Sequence, residues 1–177
     1  MSYPRGFGVQ STTSVVQPMF GVTLSSNVGV AQPPGQTSSV MIVASNTIFQ
    51  TNDQVNILPG ASSTTKPEYR VQIQVTNATT ITGVLQWPHN TGDYVVLDYP
   101  CQNVMVQSVA AHTLTNSLFL ACSTAATNTG GYAFWDLNVT NPYLGPSGFG
   151  NADNTSNYWV IAASATTQYF LASAVQS

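Results

Sequence analysis

The sequence predicts an all-β protein: a β-sandwich or jelly-roll-like antiparallel domain with an extended N-terminal arm. Three observations predict it. From Val40 onward, short segments rich in Val, Ile, Tyr, Phe and Trp alternate with turn clusters containing Gly, Pro and Asn. Roughly ten such segments follow one another, several at spacings of about 8 to 12 residues, the rhythm of sandwiches and barrels. Helix caps and a 3.6-residue period are nearly absent, so a parallel α/β sheet, which needs intervening helices, is not expected.

Residues 1–39 read as the arm. They are rich in Gly, Pro, Ser and Gln, with apolar beads such as Val15-Val16, Met19-Phe20 and Val28 to Val30 in place of a sustained period. Beads this apolar belong against a surface, and a neighbouring subunit is the expected one. Residues 40–177 then form a single sandwich domain. Its expected strands are Val40 to Val43, Thr47 to Gln50, Gln54 to Ile57, Tyr69 to Thr76, Thr80 to Gln86, Tyr94 to Leu97, Asn103 to Val109, Ser117 to Ser123, Tyr132 to Val139, Tyr158 to Ser164 and Gln168 to Val175. The breaks at Leu58-Pro59-Gly60, Trp87 to Gly92, Tyr99-Pro100, Asn128 to Gly131 and Asn141 to Asn157 carry turn chemistry. The last two strands, joined by Ala165-Thr166-Thr167, are expected to pair as a C-terminal hairpin. The Gly/Pro-rich loop at 141–157 exposes Tyr143, Leu144 and Phe149, and is expected to make contacts.

Charge is scarce: 5% of residues, against roughly a quarter in ordinary soluble domains. With 43% hydrophobic and 10% aromatic residues the chain nevertheless has the means to fold. A formal net charge of -3, with only Arg5, Lys66 and Arg70 as cations, excludes a phosphate-neutralising nucleic-acid interface. No run reaches the roughly 20 apolar residues of a spanning helix. No apolar stretch follows Arg5, so a secretory signal is not expected and synthesis and folding in a cytoplasm are. In that compartment Cys101 and Cys122 are expected as reduced, buried side chains.

Two of the three cations fall in KPEYRVQIQVT, Lys66 to Thr76. A period of two puts Lys66, Glu68, Arg70, Gln72 and Gln74 on one face, and Tyr69, Val71, Ile73 and Val75 on the other. The charges then form a solvated stripe on a strand whose start, at Pro67, lies at a sheet edge. In a chain so poor in charge, this stripe is also the expected place for an ionic contact to another subunit.

Catalytic chemistry finds little material. A general base near neutral pH is usually His, and there are two: His89, in the turn beside Asp93, and His112, between strands. No Gly-x-Ser-x-Gly elbow is present. Cys101, Cys122, His89 and His112 lack zinc spacing, and Asn151-Ala152-Asp153-Asn154 lacks the Gly and terminal Glu of an EF-hand. With one Glu and five Asp, paired carboxylates are in short supply. No enzyme, cofactor or metal is therefore expected. Aromatic residues are more plentiful; in Tyr132 to Val139, a period of two places Tyr132, Phe134, Asp136 and Asn138 together, a mixed face suited to sugar stacking or to a subunit interface.

A nearly uncharged, Thr/Asn/Gln-rich β domain with an apolar-beaded arm and no catalytic constellation resembles structural proteins of virus particles, particularly those of tailed bacteriophages. The resemblance is one of composition and organisation over the whole chain. It implies a virion structural protein of the capsid decoration, or cement, type on the capsid exterior. Such a protein is often trimeric, so a homotrimer is expected, and it binds the major capsid protein across neighbouring subunits with its arm threaded along them. Partner contacts are then expected at Phe7, Val9, Met19, Phe20, Lys66, Glu68, Arg70, Tyr143 and Phe149. The alternative is a carbohydrate- or receptor-binding module of a tail fibre or surface adhesin, stacking glycan on Trp87, Tyr132 and Phe134.

Overall fold

The computed structural model of the protein describes residues 4–12, 15–30, 34–35, 37–45, 48–108, 118–121, 133–137, 142–145, 153–163 and 168–176. Among the described residues the protein is nearly all-β and every strand pair is antiparallel. In chain order the strands are β1 (Pro4–Thr12), β2 (Gln17–Pro18), β3 (Gly21–Thr23), β4 (Ser38–Ile42), β5 (Gln54–Leu58), β6 (Glu68–Asn77), β7 (Thr80–Val84), β8 (Tyr94–Leu97), β9 (Pro100–Ser108), β10 (Leu118–Ala121), β11 (Ala133–Leu137), β12 (Tyr143–Gly145), β13 (Asp153–Asn154), β14 (Trp159–Ala162) and β15 (Gln168–Gln176), with a 3-10 turn at Thr155–Asn157. Among the described residues no helix is long and apolar enough to cross a membrane.

Two compact units result, one of Met1–Phe20 with Tyr99–Ser177, the other of Gly21–Asp98. The first is sandwich-like. One sheet runs β1-β15-β9-β12, with β13 also paired to β9; the other runs β11-β10-β14-β2. Alternation in β9 and β15 is regular: Val104, Val106, Phe170, Ala172 and Ala174 are buried, while Asn103, Met105, Gln107 and Leu171 are exposed. Aromatic rings join the two sheets. Tyr143 of β12 meets Trp135 of β11 edge-on at 5.5 Å and lies 6.3 Å from Tyr158, which in turn meets Phe20 edge-on at 6.1 Å. Such geometries add about 0.5–1.5 kcal/mol each beyond burial.

The second unit is a single six-stranded sheet, β3-β8-β5-β6-β7-β4. It curls until its end strands meet: Leu24 bridges Val43, the Ser25 amide donates to Ile42 O at 2.8 Å, and the Ala44 amide donates to Thr23 O at 3.3 Å. Curling removes the open edges that a flat sheet would present. Leu24, Met41, Val55, Ile57, Ile73, Ile81, Leu85, Val95 and Leu97 form its interior, each at 1% exposure or less.

Three expectations change. The described residues of the expected arm pair with later strands, and the chain divides into the two compact units given above. β1 pairs with β15, β2 with β14, and β3 with β8, while Met19, Phe20, Leu24 and Val28 are buried. The beads themselves lie beside these short strands: Met19 and Phe20 are buried in the turn between β2 and β3, and Val28 bridges His89, while Val15 stays exposed. The expected C-terminal hairpin does not form: β14 pairs with β10 and β2, whereas β15 pairs with β1 and β9. Each strand gains two neighbours by going to its own sheet, where a hairpin would provide one. Finally, Ile48 and Phe49 are buried outside any strand.

The register of β6 makes a direct prediction. Ile73→Ala, at 0% exposure, is expected to destabilise the protein by about 2–5 kcal/mol. Gln74→Ala, one residue away on the outer face, should stay within about 0.5 kcal/mol; urea unfolding of both variants checks the pair.

Candidate functional site

β6 does not keep a period of two. Val71 pairs with Val55, yet Glu68 pairs with Ile57, so three steps along β6 match two along β5. This is a β-bulge, and Arg70 occupies it with φ at +55°, in the left-handed region. For a non-glycine residue that backbone costs about 1–2 kcal/mol. Asn56, buried on β5, compensates in part: its Oδ1 accepts the Arg70 amide at 3.0 Å. The extra residue inverts the alternation upstream. Glu68, expected on the wet stripe, is buried at 7% exposure, and Tyr69, expected in the core, is 65% exposed.

Once inside, the Glu68 carboxylate is held by the chain that follows β7. Oε1 accepts the Trp87 amide at 2.7 Å and the Gln86 amide at 2.9 Å, and Oε2 accepts the Gln86 amide at 3.1 Å. His89 Nε2 lies 3.2 Å from the same Oε1. The other ring nitrogen, Nδ1, is 3.4 Å from Asp93 Oδ2. That second contact lacks hydrogen-bond alignment. The His89 side chain is wholly buried between the two carboxylates.

Asp93 anchors the far side. Its Oδ2 accepts from the Thr65 hydroxyl at 2.7 Å and the Asn90 amide at 3.0 Å, and its Oδ1 accepts the Gly60 amide at 2.9 Å. Burial raises the carboxyl pKa, but hydrogen bonds from Thr65, Gly60, Ser63 and Asn90 outweigh it and hold Asp93 below the ordinary carboxylate value. Gly60 is required by approach: a Cβ there would collide with the Gly92 carbonyl. Backbone bonds between Val28 and His89 (2.8 and 3.0 Å), and from the Leu24 amide to Asp93 O (2.8 Å), tie the segment after β3 to the same turn.

The arrangement braces loops; it does not present a reagent. A general base must reach its substrate, and this imidazole has no exposed surface. Glu68 and Asp93 approach opposite nitrogens of the ring, so they do not converge on one point as metal ligands must. Among the described residues no group of three His, Cys, Asp or Glu is placed to hold a metal ion. Asn154 Oδ1 accepts from the Ser156 amide and hydroxyl, so it caps the 3-10 turn, which does the work expected of a polar turn.

The other expected site residues are dispersed. Met19 and Phe20 are wholly buried and belong to the core, not to a contact surface. Lys66 is exposed and its Nζ sits 3.8 Å over the Trp87 ring, covering one face of the expected stacking platform. Arg70 is exposed, with Nε 3.7 Å from Asp98 Oδ2. Tyr143 is half-buried in the aromatic contacts described above. Phe7, Val9 and Phe134 lie in β1 and β11, with side chains outside the described residues, as are Tyr132, Phe149, His112 and Cys122 entirely; Cys101 is buried. The residues missed by sequence reasoning are Asn56, Gly60 and Thr65; Asp93 was seen only as a neighbour of His89 in the turn. The sequence signal was limited to a His–Asp pair four residues apart and a single Glu in the whole chain. No protein-family profile, curated protein or solved structure matches this chain.

Two outcomes are expected. Glu68→Ala should destabilise strongly, by about 3–5 kcal/mol, because it leaves buried donors and a buried ring unpaired, whereas Tyr69→Ser should stay within about 0.5 kcal/mol; urea midpoints distinguish them. A carboxyl held low when folded stabilises fully above its unfolded value near 3.9 and loses that contribution as pH falls through the folded value. Stability should therefore decline below about pH 4, and Asp93→Asn should blunt that decline while lowering the neutral-pH midpoint.

Proposed function

We propose that the chain is a virion structural protein, an outer capsid decoration protein that binds across neighbouring shell subunits as a homotrimer and stabilises the particle without catalysis. The observation that carries this reading is the outer face of the β15-β9 sheet. Asn103, Met105, Gln107, Leu171, Ser173 and Val175 alternate with the buried residues there, and none is charged. Met105 is 46% exposed and Leu171 38%. Two nine-residue strands thus offer a long neutral face that packs on a neighbour without desolvating ions. Repeated over a lattice, modest contacts of this kind sum to a large restraint.

The buried state of Glu68, His89 and Asp93 supports a non-enzymatic role, since the titratable groups best placed for chemistry are consumed in holding loops. The alternative, a glycan- or receptor-binding module stacking on Trp87, is weakened at that residue because Lys66 occupies a ring face.

The protein is expected to co-purify with particles at a stoichiometry near that of the shell protein, and particles lacking it should release DNA on mild heating. Met105→Asp combined with Leu171→Asp should leave the urea midpoint within about 0.5 kcal/mol per site and reduce copies per particle, as counted by mass spectrometry. Recovery of the protein only in a soluble cell fraction would overturn the assignment.

A further inference from the structure

We propose that the outer face of β6 and β7 is a binding site for a neutral oligosaccharide. A groove of about 430 Å³ lies over this face, within the roughly 300–1,000 Å³ of small-ligand sites. Tyr69, Arg70, Gln72, Gln74, Thr82 and Gln86 line it. The site belongs to the Gly21–Asp98 unit and does not rest on the assignment to a virion.

The bulge is the first argument. Regular alternation would turn Tyr69 into the core; the left-handed Arg70 turns it out, 65% exposed, at the groove. Strained backbone and re-aimed side chains gather where a surface has work to do. A tyrosine ring standing in water beside hydrogen-bonding groups is suited to the apolar C–H face of a pyranose, with its hydroxyl and neighbours taking the sugar's edges.

Chemistry of the lining is the second. The amides of Gln72, Gln74 and Gln86 and the hydroxyl of Thr82 each both donate and accept, as sugar hydroxyls do. No uncompensated charge is presented. Arg70 has Asp98 at 3.7 Å, and the Glu68 carboxylate is turned to the Gln86 and Trp87 amides and to His89. An ionic ligand therefore gains little from this groove over water.

Other occupants fit less well. A peptide adding by strand pairing needs a free backbone edge, but β6 is paired to β5 and β7, and β7 to β6 and β4. A nucleic acid needs phosphate-neutralising cations, of which the groove has one. An amphipathic helix needs a continuous apolar floor, and the exposed lining is mostly amide and hydroxyl.

The test titrates the full-length protein with cellohexaose, maltohexaose, mannohexaose and chitohexaose, and with 3′-sialyllactose as an acidic arm. Binding is read by calorimetry and by NMR of the glutamine side-chain amides. At least one neutral hexasaccharide is expected to bind and to shift the Gln72 and Gln74 amide signals. Tyr69→Ala, and Gln72→Ala with Gln74→Ala, should each weaken it about tenfold or more at unchanged urea midpoint, while the Met105→Asp variant binds as wild type. The proposal is overturned if no neutral hexasaccharide binds, if Tyr69→Ala binds as wild type, or if the acidic sugar is preferred. Self-association that Tyr69→Ala abolishes would equally overturn it, assigning the face to a second copy.

Discussion

A carboxylate removed from water must find donors, and in the Gly21–Asp98 unit that demand organises everything between β5 and β8. Glu68 enters the interior only because β6 carries an extra residue, and β6 tolerates the left-handed Arg70 only because Asn56 takes its amide. The strain of about 1–2 kcal/mol is small beside the several kcal/mol at stake when a buried ion loses its partners. Gln86, Trp87 and His89 supply those partners, and His89 passes the constraint to Asp93, whose own donors come from Gly60, Thr65 and Asn90. Two loops, β5–β6 and β7–β8, are therefore held by two carboxylates and one ring.

The same device shapes the surface. A strand that turns an acid inward must turn something else outward, and here it is Tyr69 beside Arg70. Inside, Glu68 and Asp93 are consumed in the network; outside, Arg70 lies beside Asp98 and Lys66 over the Trp87 ring. In the other unit the β15-β9 face carries no charge at all. A protein this economical with charge leaves broad neutral faces, which suit contact with neutral partners, whether a neighbouring subunit or a sugar, over contact with ions.

Much of the architecture was legible from residue order. β5, β8 and β11 fall where Val, Ile and aromatic runs between turn clusters placed them, and the alternation of Val71, Ile73 and Gln74 was read correctly because nothing interrupts it. The candidate site was not legible in the same way. Period-two reasoning carried through Arg70 assigns Glu68 to water and Tyr69 to the core, and both assignments reverse at one residue of positive φ. His89 and Asp93 could be seen as neighbours in a turn, but their partner Glu68 is 21 residues from His89 and meets it through the antiparallel pairing of β6 with β7 and the bulge at Arg70.

What the sequence determined by itself was the class of structure: β-branched and aromatic segments cut by Gly, Pro and Asn admit strands and turns and little else. Only the tertiary structure decided the pairing. Pro4–Thr12, Gln17–Pro18 and Gly21–Thr23 became strands because later strands pair with them, and β14 and β15 parted because each found two neighbours in its own sheet. The bulge at Arg70 belongs to this second group, since a left-handed residue in mid-strand is stable only when buried donors on other strands reward it. Local pattern specifies what a segment is; contacts from distant segments specify which way it faces.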